Sequence, residues 1–158
     1  MSFTVYIQNQ QVYPVNASRL RQAAETVLKQ LRTDSPSQLT LVVTDDASVR
    51  RLNLEYRQVA SATDVLSFPA GPAPADTDRD GSYLGDILIA YPYAKRAAKR
   101  RNLNVEDTIC MLAVHGLLHL LGHDHDTEKA RQAMWKEQAV ALASIGIDPA
   151  IVDKYGGE

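Results

Sequence analysis

All four histidines of this chain are close together in the sequence, and their spacing indicates metal chemistry. His115 and His119 are four residues apart. On a helix both imidazoles would therefore lie on one face, about one turn apart, close enough to share an ion. Gly122 then favours the left-handed conformation that ends a helix. The chain can therefore fold back and bring His123 or His125 to the same point.

The histidine spacing is typical of a catalytic zinc site rather than a structural one. The frame His-x3-His-x2-Gly-x2-His is that of the metzincin zinc site. Three neutral imidazoles leave one tetrahedral position for water, as catalytic sites do. The single cysteine, Cys110, is five residues before His115 and would lie on a different side of the helix, so it is a poor fourth ligand. We therefore expect one zinc ion (Zn2+) per chain.

Two ordinary core histidines are the alternative to this interpretation. Residues 109–114, together with Leu117 and Leu118, make the helix apolar almost all round, so both rings would be buried. Burying two imidazoles without partners would cost about 1–3 kcal/mol each. A metal ion removes that cost, and the metal hypothesis is therefore favoured.

Gly116 argues against peptide hydrolysis at this site. Zinc peptidases carry a glutamate directly after the first histidine, where it acts as the general base. Gly116 has no side chain that could accept the proton, so the site is expected to be hydrolytic but not proteolytic. A metallopeptidase, or another zinc hydrolase, is the less favoured alternative.

Hydrophobic periodicity predicts the elements that must position these histidines. Strands are predicted over 3–8, 39–44, 65–68 and 83–90, and helices over 18–32, 45–56, 92–101, 104–121 and 126–146. The alternation indicates an α+β fold of mixed layers. We expect a small mixed sheet of about four strands packed with about five helices, with the zinc site at the end of a buried helix. The Pro- and Gly-rich segment 69–82 is expected to be a loop, and the tail after Gly146 to be loosely held.

Length and composition indicate a folded domain and exclude a disordered chain, a collagen and a disulfide scaffold. The chain has 158 residues, of which 45% are hydrophobic, and its formal net charge is -2. We therefore expect residues 1–158 to form a single metal-dependent hydrolase domain. One cysteine permits no intrachain disulfide, and the N-terminus resembles no signal peptide, so we expect a cytoplasmic protein. The longest apolar stretch, 109–121, is too short to span a membrane.

A concentration of positive charge lies on the helix predicted before the histidines. Five cations occur within residues 95–101, namely Lys95, Arg96, Lys99, Arg100 and Arg101. The interpretation stays open between a solvated helix face and a surface that holds a polyanionic substrate. The near-neutral net charge of the chain argues against a histone-like coat on nucleic acid.

Four sequence blocks together resemble the YbeY family of bacterial endoribonucleases, which act in ribosomal RNA maturation. The blocks are Leu52-Asn53-x-x-Tyr56-Arg57, residues 63–69 (TDVLSFP), residues 84–87 (LGDI) and the histidine block 115–125, in the family's order. The resemblance implies that His115, His119 and His125 bind zinc. It also implies that Arg57 is a functionally important residue of the cleft. His123 would line the cleft or contact one of the metal-binding residues, and it would not bind the metal itself.

The resemblance also implies a substrate and a cellular role. The substrate would be single-stranded RNA, notably the 3′ end of the small-subunit ribosomal RNA. The cellular role would be ribosome quality control in the cytoplasm. The partners would be the small ribosomal subunit or ribosome-associated proteins, and no membrane would be involved.

The first hypothesis is a zinc-dependent endoribonuclease in which His115 and Arg57 are catalytic. Zinc would activate water or polarise a phosphoryl oxygen, and Arg57 would clamp the phosphate and offset its developing charge. The RNA backbone would be held, without recognition of its sequence, by Lys95, Arg96, Lys99 and Arg100. Asp124 could orient an imidazole or simply form a turn. The second hypothesis is a non-catalytic ribosome-assembly factor in which a structural zinc ion stabilises the fold.

Overall fold

Strands and helices follow one another along the chain in the order that the hydrophobic pattern predicts. The computed structural model describes residues 3–32, 35–70 and 83–156. In these ranges the elements are β1 (Phe3–Asn9), α1 (Ala17–Leu31), β2 (Ser37–Thr44), α2 (Asp46–Arg57), β3 (Val65–Pro69), β4 (Tyr83–Ala90), α3 (Tyr91–Arg100), α4 (Val105–Leu120), α5 (Glu128–Ser144) and α6 (Ile151–Tyr155). The predicted α+β fold with mixed layers is confirmed, and α6 is added to the five predicted helices. Residues 71–82 of the predicted loop lie outside the described ranges.

The four strands form one mixed sheet in the order β1-β2-β4-β3. β1 and β4 run parallel to β2, whereas β3 runs antiparallel to β4. The two inner strands are apolar because parallel strands of this kind are covered on their faces. Leu41 and Ile87, for example, are neighbours in register and are both fully buried. β3 lies at one edge of the sheet, where it packs against α4.

Helix α4 is buried along almost its whole length, because α1, α3, α5 and the sheet pack around it. The side chains of residues 108–114, and those of Leu117 and Leu118, are buried. A helix that is apolar nearly all round belongs in a protein core. His115 and His119 interrupt the apolar surface and are half-buried. Even so, no helix in the described part of the chain combines the length and the apolar character needed to cross a membrane.

Side-chain caps explain where four of the helices begin. Each capping side chain accepts a hydrogen bond from the backbone amide three residues later, an amide that has no partner within its helix. The capping residues are Asn16, Asp45, Asn104 and Thr127. Just beyond the other end of α4, Gly122 has a φ of 95°, a backbone conformation that favours glycine. The predicted end of this helix is therefore confirmed.

The C-terminal tail packs onto the core, so the expectation that it is loosely held is wrong. Ile151 and Tyr155 are 6% and 5% exposed. The Tyr155 hydroxyl donates a hydrogen bond of 2.7 Å to Oδ2 of Asp64. The guanidinium of Arg101 lies 5.5 Å from the centre of the Tyr155 ring. The sequence did contain a signal for this packing. Ile147, Ile151 and Tyr155 recur every four residues, which is an apolar pattern at helical spacing.

Tyr155→Phe is expected to lower the free energy of unfolding by about 1–3 kcal/mol, because it removes a hydrogen bond to the Asp64 carboxylate. Burial, together with the charge of Asp64, raises the pKa of Tyr155, so its hydroxyl stays a donor. Tyr6→Phe is the matched control, since Tyr6 is half exposed and its bond to Gln38 is 3.5 Å long. Urea unfolding measures both variants, and equal midpoints would contradict the role given to Tyr155.

Candidate metal centre

Three imidazoles meet where α4 ends. His115 and His119 lie one turn apart on α4, and their Nε2 atoms are 3.0 Å apart. Beyond Gly122 the chain turns back, so the His125 ring lies 5.3 Å from the His119 ring and 6.2 Å from the His115 ring, centre to centre. One nitrogen of each ring lies within 4.8 Å of the others. The structure thus brings together the three predicted ligands in a group that could hold a metal ion.

The spacing of two of these nitrogens is close to what a shared metal ion such as zinc requires. At Zn–N distances of about 2.0–2.1 Å, tetrahedral geometry places two ligand nitrogens about 3.3–3.4 Å apart. The Nε2 atoms of His115 and His119 are close to that separation, at 3.0 Å. Two neutral rings can share only one proton between such nitrogens, whereas a cation accepts the lone pair of each. A shared metal ion therefore explains this pair of nitrogens better than two ordinary core histidines do.

Cys110 does not join the donor set. Among the side chains that the structure describes, the group of potential ligands consists of the three histidines alone. Cys110 is 1% exposed, and burial raises the pKa of its thiol to about 11. The sulfur therefore stays protonated near neutral pH and is a poor metal ligand. This result agrees with the exclusion of Cys110 from its position in the sequence.

Gln138 on α5 contacts the far nitrogen of His115. Its Oε1 lies 3.1 Å from Nδ1 of His115, and the residue is only 4% exposed. An amide oxygen can only accept, so this contact is a hydrogen bond in the His115 tautomer that carries its proton on Nδ1 and keeps the Nε2 lone pair toward His119. Sequence reasoning missed Gln138. The available signal was a glutamine between Met134 and Leu142, where it interrupts the buried face of α5 at helical spacing.

Gly116 lies where α4 passes close to the sheet. A Cβ at this position would be 2.7 Å from Cγ2 of Ile87 and 3.2 Å from Oγ of Ser67, which is tighter than side chains normally pack. Ser67 Oγ also donates a hydrogen bond of 2.8 Å to the carbonyl oxygen of Gly116, which fastens β3 to α4. The position that carries glutamate in zinc peptidases therefore has no room for that side chain. This packing argues further against the metallopeptidase hypothesis.

A cleft of about 460 Å³ opens beside the three imidazoles. Helix α2 contributes Arg57, the last residue of that helix, whose side chain is exposed. The rest of the lining comes from β3 and from the turn after α4, namely Val65, Ser67, Pro69, Gly122, His123 and Asp124. A cationic side chain and a candidate metal site thus share one open cavity. Such an arrangement suits an anionic substrate.

His123 and Asp124 line the cleft but do not belong to the group of candidate ligands. For His123 this is the position that the family resemblance implied. Asp124 accepts a hydrogen bond of 3.2 Å from the backbone amide of Asp126. This bond supports the turn-forming role of Asp124 over the orientation of an imidazole, and it helps the chain to return toward α4.

The cations of α3 lie outside this cleft. Its lining includes none of Lys95, Arg96, Lys99 and Arg100. Arg96 forms an ion pair of 2.5 Å with Asp46, so its charge is partly engaged. Lys99 and Arg100 are exposed. The structure therefore does not bring these cations to the candidate metal centre, and their part in RNA binding stays a prediction.

Comparison with known proteins identifies the family. A family model described as Endoribonuclease YbeY matches residues 6–146. The chain belongs to the YbeY family. Among its YbeY relatives, the Endoribonuclease YbeY of Gloeobacter violaceus is 40% identical over 136 residues, which cover 85% of this chain and 70% of the relative. The Endoribonuclease YbeY of Moorella thermoacetica is 38% identical over 151 residues, which cover 89% of this chain and 96% of the relative.

A solved structure supports the fold of this YbeY chain. The solution structure of a Thermotoga maritima protein matches it with a TM-score of 0.56 and 20% sequence identity, over 89% of this chain and 90% of that one. At this identity the likeness shows the fold alone. The four sequence blocks had indicated the YbeY family, and the α+β architecture had followed from the hydrophobic pattern. Both predictions are confirmed.

Proposed function

We propose that this YbeY chain is a zinc-dependent endoribonuclease that cuts single-stranded RNA. The observation that carries the proposal is the convergence of His115, His119 and His125 beside a cleft that also presents Arg57. The relatives are named endoribonucleases, which supports RNA as the substrate. Residues 1–158 would form one metal-dependent hydrolase domain.

The proposed cellular task is maturation of the 3′ end of the small-subunit ribosomal RNA, together with ribosome quality control. This work would take place in the cytoplasm, in contact with the small ribosomal subunit or ribosome-associated proteins. Family membership supports this assignment, because the relatives carry the name of an RNA-cleaving enzyme.

Arg57 and His115 carry the catalytic roles in this proposal. His115 would bind the metal through Nε2 while Gln138 keeps its Nδ1 protonated. When bound, zinc would supply a Lewis acid for a phosphoryl oxygen or for water. The Arg57 guanidinium would bind two oxygens of the scissile phosphate side by side and stabilise the negative charge that develops there.

Cleavage of a labelled single-stranded RNA by the purified protein, with and without a chelator, tests the proposal. We expect the zinc-loaded protein to cut the single strand and to leave the matching duplex intact. Chelation should stop cleavage, and added zinc should restore it. A folded, zinc-loaded protein that cuts no RNA would contradict the proposal and favour the non-catalytic ribosome-assembly factor with a structural zinc site.

Gln138→Met is expected to weaken zinc binding on the order of 10- to 100-fold, because Nδ1 of His115 loses its acceptor. Methionine has a similar length, so the buried space stays filled. Competition with a chromophoric chelator measures the Kd. Gln138→Glu is the matched variant, because its carboxylate can accept the same bond and should keep zinc at least as tightly. If Gln138→Met and the wild type had equal Kd values, Gln138 would not orient His115.

The salt dependence of RNA affinity tests the predicted role of α3. The double change Lys99→Gln and Arg100→Gln is expected to reduce the slope of log K against log salt by about 0.7 for each RNA phosphate that the variant no longer neutralises. Arg96→Gln should reduce the slope less, because Asp46 already pairs with Arg96. An unaltered slope for the double variant would show that α3 presents only a solvated face.

A further inference from the structure

A second cavity, of about 350 Å³, lies next to the candidate metal centre between α5 and α6. His115 and His125 line both this cavity and the cleft that presents Arg57, so the two spaces adjoin at these imidazoles. Met134 and Val152 give it an apolar wall. Its volume falls within the range of about 300–1,000 Å³ that is usual for sites of small organic groups. The proposed chemistry gives this cavity no role.

Trp135 on α5 is the aromatic residue of this cavity. It is the only tryptophan of the chain, and 42% of it is exposed. It lies one helical turn before Gln138, the residue that contacts His115. Proteins that bind single-stranded nucleic acids stack bases on exposed aromatic rings of this kind. Trp135 is thus a candidate stacking platform next to the candidate metal centre.

The charges around the cavity favour a neutral planar group over a phosphate. Apart from the histidines, its charged lining residues are Arg131 and Asp153, which have opposite signs, and Arg131 also pairs with Glu128. A phosphate here would meet Asp153 without a surplus of positive charge, whereas the adjoining cleft offers Arg57. Gln132 adds an amide group of the kind that hydrogen-bonds the edge of a base. The two cavities therefore suit the two parts of a nucleotide.

We propose that this cavity binds one unpaired nucleobase of the RNA, stacked on Trp135, while the neighbouring phosphate lies at the histidines. This inference rests on the proposed function, because it places the base of the proposed substrate. It also gives a physical reason for single-strand specificity. A base in a duplex is already paired and stacked, and it would have to be extruded before it could enter the cavity.

Tryptophan fluorescence reports on this cavity alone, because Trp135 is the only tryptophan. The protein to titrate is the zinc-loaded Arg57→Ala variant, since Arg57 is absent from the lining of this cavity and its loss should slow cleavage during the titration. A short oligouridine is expected to quench the fluorescence saturably. An abasic RNA of the same length keeps the phosphates but cannot stack, so it should quench little and bind more weakly.

Variants of Trp135, made in the same Arg57→Ala background, measure the contribution of stacking to affinity. Trp135→Ala should weaken binding of the labelled oligouridine on the order of 5- to 150-fold, which corresponds to the loss of one base–aromatic stack. Trp135→Phe should keep most of the affinity, because it retains an aromatic face. Val140→Ala is the matched control, because Val140 is exposed on the same helix but does not line the cavity. It should bind RNA as tightly as its parent.

Two outcomes separate this inference from the proposed function. In the first outcome the base of the RNA is needed for quenching, but the wild type cuts no RNA. This result would support the cavity's role and contradict the proposed nuclease activity. In the second outcome the wild type cleaves RNA normally, but RNA leaves the tryptophan fluorescence unchanged and Trp135→Ala binds RNA with unaltered affinity. This result would overturn only the cavity's role.

Discussion

His115→Ala is expected to abolish RNA cleavage and to weaken zinc binding in the same protein. His115 supplies one of three nitrogens that lie within 4.8 Å of one another, so its loss leaves two protein ligands. If about 10–16 kcal/mol of zinc binding is shared among four ligands, each ligand contributes about 2.5–4 kcal/mol, which corresponds to an affinity loss on the order of 10²–10³-fold. Cleavage should fall to the level of the chelated wild-type protein.

Elemental analysis and cleavage of a labelled single strand, on the same preparations, check the result for His115→Ala. His123→Ala is the matched control, because His123 lines the cleft but lies outside the group of candidate ligands. It should keep one zinc ion per chain. Circular dichroism verifies that each variant is folded. A folded His115→Ala protein with full zinc content and full cleavage would contradict the role of this residue.

Arg57→Ala is expected to slow RNA cleavage on the order of 10²–10³-fold, because a charged donor at the developing negative charge is lost. Zinc content and thermal stability should not change. Arg57 is exposed at the end of α2 and lies outside the group of candidate metal ligands, so neither the core nor the metal depends on it. The measurement is kcat/KM at sub-saturating RNA.

Arg57→Lys separates the charge of this residue from its geometry. Lysine keeps one positive charge but cannot bind two phosphate oxygens side by side, so we expect a rate between those of wild type and Arg57→Ala. Arg51→Ala is the matched control, because Arg51 is exposed on the same helix but does not line the cleft. If Arg57→Ala cut RNA as fast as Arg51→Ala, Arg57 would have no role at the phosphate.

Local patterns in the sequence were sufficient to predict most elements of the fold. Helix α4 shows why, because Asn104 caps its start, Gly122 follows its end, and apolar residues fill most of the positions between them. Helix α6 was not predicted, because it is only five residues long, although Ile151, Val152 and Tyr155 are apolar. A contact with Asp64, 91 residues earlier in the chain, fastens Tyr155 of this helix.

The candidate site was predictable only where its residues are neighbours in the sequence. His115 and His119 share one helix, and Gly122 allows the chain to return, so spacing predicted two ligands and left the third open between His123 and His125. The family resemblance then selected His125. Arg57 came from the family resemblance, because no local pattern shows that the end of α2 borders the same cleft as α4.

The contribution of α5 to the site was not predicted at all. Gln138 contacts His115, and Trp135 lines the cavity next to the candidate metal centre, because α5 packs against α4. The charge pattern of α3 left open whether its cations form a solvated face or bind a polyanion, and their role stays a prediction. The pattern could not show that Lys99 and Arg100 lie outside the cleft.

X-ray absorption at the zinc edge of the purified protein tests the central claim most directly, because it counts and identifies the atoms around the metal. We predict one zinc ion per chain with three imidazole nitrogens and one oxygen, at about 2.0–2.1 Å. The nitrogens would be those of His115, His119 and His125, which the fold already brings together. A protein without zinc, a site with fewer than three imidazoles, or a sulfur ligand at about 2.3 Å would contradict the account.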